Sequence, residues 1–259
     1  MTDPAPEIPP DPPVDPSETP VALPAPTLPI ERLGAFIEVF LCSGLPTQLL
    51  VFQLLTYFGI SSQLADGGWA PAFIVSMALI DMVLVLLLIG VFLRAHGEPL
   101  SEFVVGPRRA GGEVLLGMAL IPAAFFQVIV VLAVILTIRP SLHNVEVNPF
   151  ERMLQTPRDA AIFAVVAMLA GGVREEVQRA FIVRRFSQYL GGAVVGIVVY
   201  SIVFGLGHIE QGYAAAIATG SLGATWAIVY WRRQSIIAPI VSHAGFDLLQ
   251  VAQFVMIPR

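Results

Sequence analysis

Apolar runs of about 17 to 28 residues recur from residue 33 to the C-terminus. Each is long enough to cross a hydrocarbon core of about 30 Å as a helix. With no water there to satisfy backbone groups, only helices and closed barrels can span. The runs are read as spans at 33–60, 70–93, 113–138, 158–183, 191–208, 213–231 and 236–257, separated by Asp66-Gly67-Gly68, Gly97 to Gly112, Pro140 to Pro157, Gly191-Gly192 and Arg232-Arg233. Hydrophobic residues make up 56% of the chain and charged ones 13%, far from a soluble domain. The expectation is an all-α, polytopic transmembrane bundle of about seven spans.

Three regions are expected: a tail at 1–32, N-terminal spans over 33–157, and core spans over 158–257. Residues 1–30 hold eleven prolines, five acids and no cation, a composition that supports neither regular helix nor a core. A disordered tail follows, without the charge pattern of a cleaved signal, so the first span is expected to be a retained anchor. All fourteen cations are arginine and no basic block exists, which leaves no basis for nucleic-acid binding. Cys42, the single cysteine, makes no internal disulfide and reads as a small packing residue.

Short cytoplasmic loops carry excess positive charge. Placing the N-terminus in the cytoplasm puts Arg94, Arg108, Arg109, Arg184, Arg185, Arg232 and Arg233 there, and Arg139, Arg152 and Arg158 outside. No internal repeat is visible, which weakens a transporter reading.

Ionisable groups inside spans are costly enough to mark function. They crowd into the core region as Glu175-Glu176 with Arg179, Phe204-x-x-x-His208, and His243-x-x-x-Asp247. Residues four apart share a helix face, so Glu175 lies with Arg179, while Glu176 projects about 100° around. Adjacent carboxylates near a guanidinium can supply one that takes a proton; a structural ion pair between helices is the plainer alternative. Each histidine alone could be an interhelical hydrogen-bonding group. Two histidines with Asp247 at one-turn spacing instead suit a divalent metal, zinc above all, held by His208, His243 and Asp247. The same set would also work without metal, a glutamate activating water while the histidines, Asp247 or Arg179 stabilise the oxyanion.

In this order and helical context the three motifs resemble the CPBP family of intramembrane proteases, also called the CAAX protease or Abi family. The resemblance covers about residues 158–257. It implies a helical membrane fold whose cavity holds a catalytic glutamate, two histidines and an Asn or Asp, in an endopeptidase acting on a membrane-associated protein or peptide such as a prenylated CAAX tail. By that resemblance the catalytic set is Glu175, Glu176, Arg179, His208, His243 and Asp247. The family has three residues between the second Glu and the Arg, whereas this chain has only Val177 and Gln178. Aligning on Arg179 would put Arg174 in the catalytic place, and an arginine cannot act as a base. The motif is therefore aligned on Glu175-Glu176, and which of the two is the base stays open.

The expected setting is the inner membrane of a bacterium, the lipid bilayer being a partner along with the substrate. A bacteriocin-immunity type of binding protein, an ion or proton transporter, and a scaffold remain as other functions. Drawn as above, the spans put His208 near the far end of its span, too distant to meet Glu175 and His243. Either the fifth span is short and sunk, or the boundaries shift. The cavity is expected to open to the cytoplasm. Outside the core, Asp81 and Glu38 are expected to pair with donors on other helices, and His96 and His143 to be solvated. Ala216, Gly220 and Ala224 form a close-packing stripe.

Overall fold

A computed structural model of the chain describes residues 28–256, apart from 66, 147 and 148. The expected tail up to residue 27, Asp66 and Arg259 lie outside the described residues. Among the described residues the only strand-like feature is one isolated bridge, Gln63 to Trp69. Everything else of regular form is helical.

The N-terminal region contains α1 (Pro29–Leu41), α2 (Leu45–Tyr57), α3 (Pro71–Ala95), the short α4 (Leu100–Val104) and α5 (Ala110–Ile138). The expected first span is thus broken. Gly44 sits between α1 and α2 at φ 85°, a left-handed conformation that favours glycine, and a Cβ there would stand 3.0 Å from Nη2 of Arg174. The chain turns where a buried guanidinium needs the room.

The core region begins with one continuous helical run in three parts. Thr156 caps it, its hydroxyl accepting from the Asp159 amide at 3.2 Å while the Asp159 carboxylate accepts from the Thr156 amide at 3.1 Å, with Pro157 preset at the first position. α6 (Pro157–Val166) then passes into a π-helical segment (Ala167–Glu175) and on into α7 (Glu176–Tyr189). Gly191 and Gly192, both at φ near 100°, reverse the chain into α8 (Ala193–Leu206). A 3₁₀ turn (Ile209–Gln211) leads to α9 (Tyr213–Arg233), and α10 (Ile237–Met256) closes the bundle.

Among the described residues four stretches are long and apolar enough to cross a membrane: Pro29–Tyr57, Pro71–Ala95, Ala110–Ile138 and Tyr213–Arg233. The other expected spans differ in instructive ways. The fourth carries Arg174, Glu175, Glu176 and Arg179 within its apolar sequence. The fifth is α8, whose 14 residues reach about 21 Å at 1.5 Å per residue, short of a full crossing.

Small residues bring the core helices close. A Cβ on Gly172 would lie 2.5 Å from Cβ of Ala244, seating the π segment on α10, and one on Gly205 would lie 2.7 Å from the Ala216 carbonyl oxygen, seating α8 on α9. Gly220 faces Gly205 across that contact, so the small-residue stripe does pack a helix. Large apolar side chains such as Leu115, Phe126, Ile129, Val194 and Ile202 are exposed, as a lipid-facing surface requires.

One end of the bundle gathers arginines. Arg185 Nε donates to Glu38 at 2.6 Å, Glu98 pairs with both Arg184 and Arg185, and Arg233 pairs with Glu113. Val104 accepts from the Ile236 amide at 3.1 Å and from the Ser235 hydroxyl at 3.2 Å, tying the α9–α10 link to α4. Glu38 pairs as expected, but His96 is a correction: its Nε2 lies 2.7 Å from Oε1 of Glu38. Helix α3 delivers it to that carboxylate, a relation no local spacing reveals.

Candidate active site

The second half of α5, α6, the π segment, the end of α8, α9 and α10 line a cavity of about 570 Å³. Glu175, His208, His243 and Asp247 all line it. The apparent separation of His208 from the others is resolved by the short α8, which ends at Leu206 and leaves His208 at the level of the site.

His243 is the hub. Its Nδ1 lies 2.7 Å from Oε1 of Glu176, its Nε2 lies 3.7 Å from Oδ2 of Asp247 and 4.0 Å from Oε2 of Glu175. Because a carboxylate only accepts, Nδ1 carries the proton and Nε2 faces the cavity. The gaps from Nε2 exceed a direct hydrogen bond and suit one bridging water. The imidazole is also stacked on Trp226, ring centroids 4.0 Å apart at 18°, and Trp226 Nε1 donates to Ser242 Oγ at 3.1 Å. The ring has little freedom to turn.

His208 is held in the same sense. Its Nδ1 donates to the Phe204 carbonyl at 2.8 Å, which leaves Nε2 unengaged by that bond. The aromatic four residues before it does pack, with ring centroids 4.8 Å apart.

Glu176 and Arg179 stand behind the cavity rather than on its wall. Both are fully buried and paired with each other. The expected Glu175–Arg179 face is therefore corrected: the π segment ends at Glu175, and Arg179 takes the carboxylate three residues before it, an equally close helical neighbour. The guanidinium is boxed by Tyr200, Phe204 and Trp226, 5.2, 4.6 and 5.4 Å from their ring centroids. Cation–π contact with three rings compensates part of its lost hydration.

Glu175 has its own support from outside the motifs. Arg174 Nη1 is 3.6 Å from Oε1 of Glu175 while its Nη2 is 2.7 Å from Oδ2 of Asp81, and Thr47 Oγ1 donates to Asp81 at 2.5 Å. Asp81 pairs as expected. The chain from α2 through α3 to the general-base candidate was not readable, because only tertiary packing brings Thr47 and Asp81 to Arg174. Gly171 leaves space for Asp247, whose Oδ2 would be 2.5 Å from any Cβ added there.

The two Nδ1–H bonds fix the tautomer that metal-ligating histidines use. Yet among the described residues no group of three or more His, Cys, Asp or Glu side chains is placed to hold an ion. His208, His243 and Asp247 are not drawn into such a group.

All these motif residues fall within residues 157–249, which match the family model described as Type II CAAX prenyl endopeptidase Rce1-like. The match covers a little over a third of the chain and is consistent with the CPBP and CAAX protease resemblance carried by the motifs. No curated protein and no solved structure matched the chain.

Proposed function

We propose, from the match of residues 157–249 to the Rce1-like CAAX endopeptidase model, that the chain hydrolyses a peptide bond of a membrane-associated protein with a water activated by Glu175. The observation that carries this reading is the gap enclosed by the Glu175 carboxylate, His243 Nε2 and Asp247 Oδ2, with separations of 3.7 and 4.0 Å from Nε2. One water placed there could donate one hydrogen bond to the Glu175 carboxylate and the other to His243 Nε2.

Glu175 takes a proton from that water, and the hydroxide attacks the peptide carbonyl carbon. The carbonyl oxygen becomes an oxyanion within the cavity that His208 lines, the His208 Nδ1–H being committed to the Phe204 carbonyl. On collapse the C–N bond breaks, and the proton on Glu175 passes to the departing amine. His243 Nε2 accepts the other hydrogen bond of the water, Asp247 closes the third side of the gap, and Glu176 with Arg179 holds His243. A base of this kind contributes about 10² to 10⁴ in rate.

The alternatives of transport and of binding without hydrolysis lack a comparable observation. The proposed setting is the inner membrane of a bacterium. Fragments of membrane proteins that appear with the wild-type chain and not with Glu175→Gln would support hydrolysis; identical fragments would refute it.

A further inference from the structure

A second pocket lies at the arginine-rich end, between the ends of α7 and α9. Arg184, Ser187 and Gln188 form one wall and Tyr230, Trp231 and Gln234 the other, around a space of about 190 Å³. No residue lines both this pocket and the cavity of Glu175. Because α9 is long and apolar enough to cross a membrane, Tyr230 and Trp231 at its C-terminal end stand at the membrane boundary, where such aromatics gather. The phosphates of phospholipids lie at the same level.

The hydrogen-bonding groups of the pocket are weighted towards donors. Gln188 Oε1 accepts from Arg185 Nη1 at 2.8 Å, which leaves its NH₂ group to donate. Arg184 hydrogen-bonds Tyr230, and because a guanidinium only donates, the phenol oxygen accepts and its O–H is left to donate. The Ser187 hydroxyl and the Trp231 indole N–H have no partner among the described residues, and Ser187, Gln188 and Trp231 are exposed. Only Gln234 offers a spare carbonyl oxygen, its Nε2 being spent on the Trp231 carbonyl at 2.7 Å. A set of this kind suits a ligand whose oxygens accept, and a phosphodiester is such a ligand. Arg184 is balanced by Glu98, but Arg94, Arg108, Arg109 and Arg232 at the same end form no ion pair among the described residues, a surround that favours an anion.

We propose that this pocket holds the phosphodiester of a membrane phospholipid. The phosphate oxygens accept from Ser187, Gln188, Tyr230 and Trp231 beside the Arg184 guanidinium, and the acyl chains stay in the bilayer. A lipid so held bridges α7 to α9, the two helices that bring Glu176 and Trp226 to His243.

The test is native mass spectrometry of the full chain, purified in a phosphate-free sugar detergent and given phosphatidylglycerol, diacylglycerol with the same acyl chains, or inorganic phosphate. The wild type should retain one phosphatidylglycerol per chain and no diacylglycerol. Ser187→Asp sets a carboxylate in the wall at a residue whose side chain makes no bond, and should lower retention at least about tenfold. Ser187→Asn, polar and neutral, should keep it. Melting temperatures near that of the wild type check that both variants fold. Equal retention of the two lipids by the wild type would mean that acyl chains alone bind, and equal retention of phosphatidylglycerol by Ser187→Asp would place the lipid elsewhere. Binding of inorganic phosphate without phosphatidylglycerol would make the ligand a soluble anion. Each of these three results would overturn the proposal.

Discussion

Glu175 and Glu176 are consecutive in the chain yet address opposite nitrogens of one imidazole. Glu176 Oε1 lies 2.7 Å from Nδ1 of His243 and Glu175 Oε2 lies 4.0 Å from Nε2. The first is sealed behind the cavity and the second forms part of its wall. The pair left unresolved by sequence thus divides into a group placed to meet water and a group placed to orient a histidine.

That division predicts different failures. Glu176→Gln leaves Arg179 buried without its counter-charge, a change that typically costs about 3–5 kcal/mol. Thermal unfolding in detergent should show a large drop for this variant. Glu175→Gln, on the cavity wall, should shift stability by about 0.5 kcal/mol. Equal destabilisation of the two would contradict the assignment.

Asp81 should act on turnover without touching substrate. Asp81→Asn removes the partner that holds Arg174 2.7 Å away, so Glu175 loses its fixed position and kcat is expected to fall while KM stays near its wild-type value. Adding Arg174→Gln should restore part of the lost stability, since removing both charges ends the burial of one alone. It should leave kcat low. A rise in KM with unchanged kcat would place Asp81 in substrate binding instead.

Gly172→Ala should separate the π segment from α10. The new Cβ would meet the Ala244 backbone at 2.9 Å, and overpacking of this kind costs about 1–3 kcal/mol. Ala244→Gly in the same chain removes the Cβ that stands 2.5 Å away but not the backbone contact, so it should recover part of the stability and activity together. Failure of the second change to rescue would mean that the glycine serves the π geometry itself and not the helix contact.

Outside the spans, Glu98 ties α3 to α7. Burial pushes its carboxyl up, but Arg185 and Arg184 outweigh that and hold it below the usual carboxylate range. A depressed folded value means that the contribution is fully present above the unfolded value of about 4.3 and is lost as pH falls through the folded one. Wild-type melting temperature should therefore drop more steeply below about pH 4 than that of Glu98→Gln. Parallel curves would show that the pairing contributes nothing.

Much of the architecture was legible because membrane helices announce themselves by length and apolarity, as at Pro71–Ala95 and Ala110–Ile138. The six motif residues were legible because buried charge is rare. The break at Gly44 was not, since a single glycine in an apolar run carries no signal until Arg174 is seen beside it. Nor was the pairing of Glu176 with Arg179, which depends on a π segment invisible to a 3.6-residue period. Trp226 lies in an apolar run that carries no sign of its stacking on His243. The depth conflict at His208 was a correct signal, pointing to a fifth helix too short to cross.

Metal dependence can be measured directly. If Glu175 carries the proton transfer unaided, purified protein should keep its activity with metal content far below one ion per chain by mass spectrometry. Activity that tracks a single zinc per chain would contradict this mechanism and require His208, His243 and Asp247 to close around an ion.

The most direct measurement compares N-terminal peptides of membrane proteins from cells expressing the wild-type chain or Glu175→Gln at equal folded abundance. Cleavage products present with the wild type and reduced at least about 100-fold with Glu175→Gln are the predicted result. The same products at the same level in both would contradict hydrolysis by Glu175.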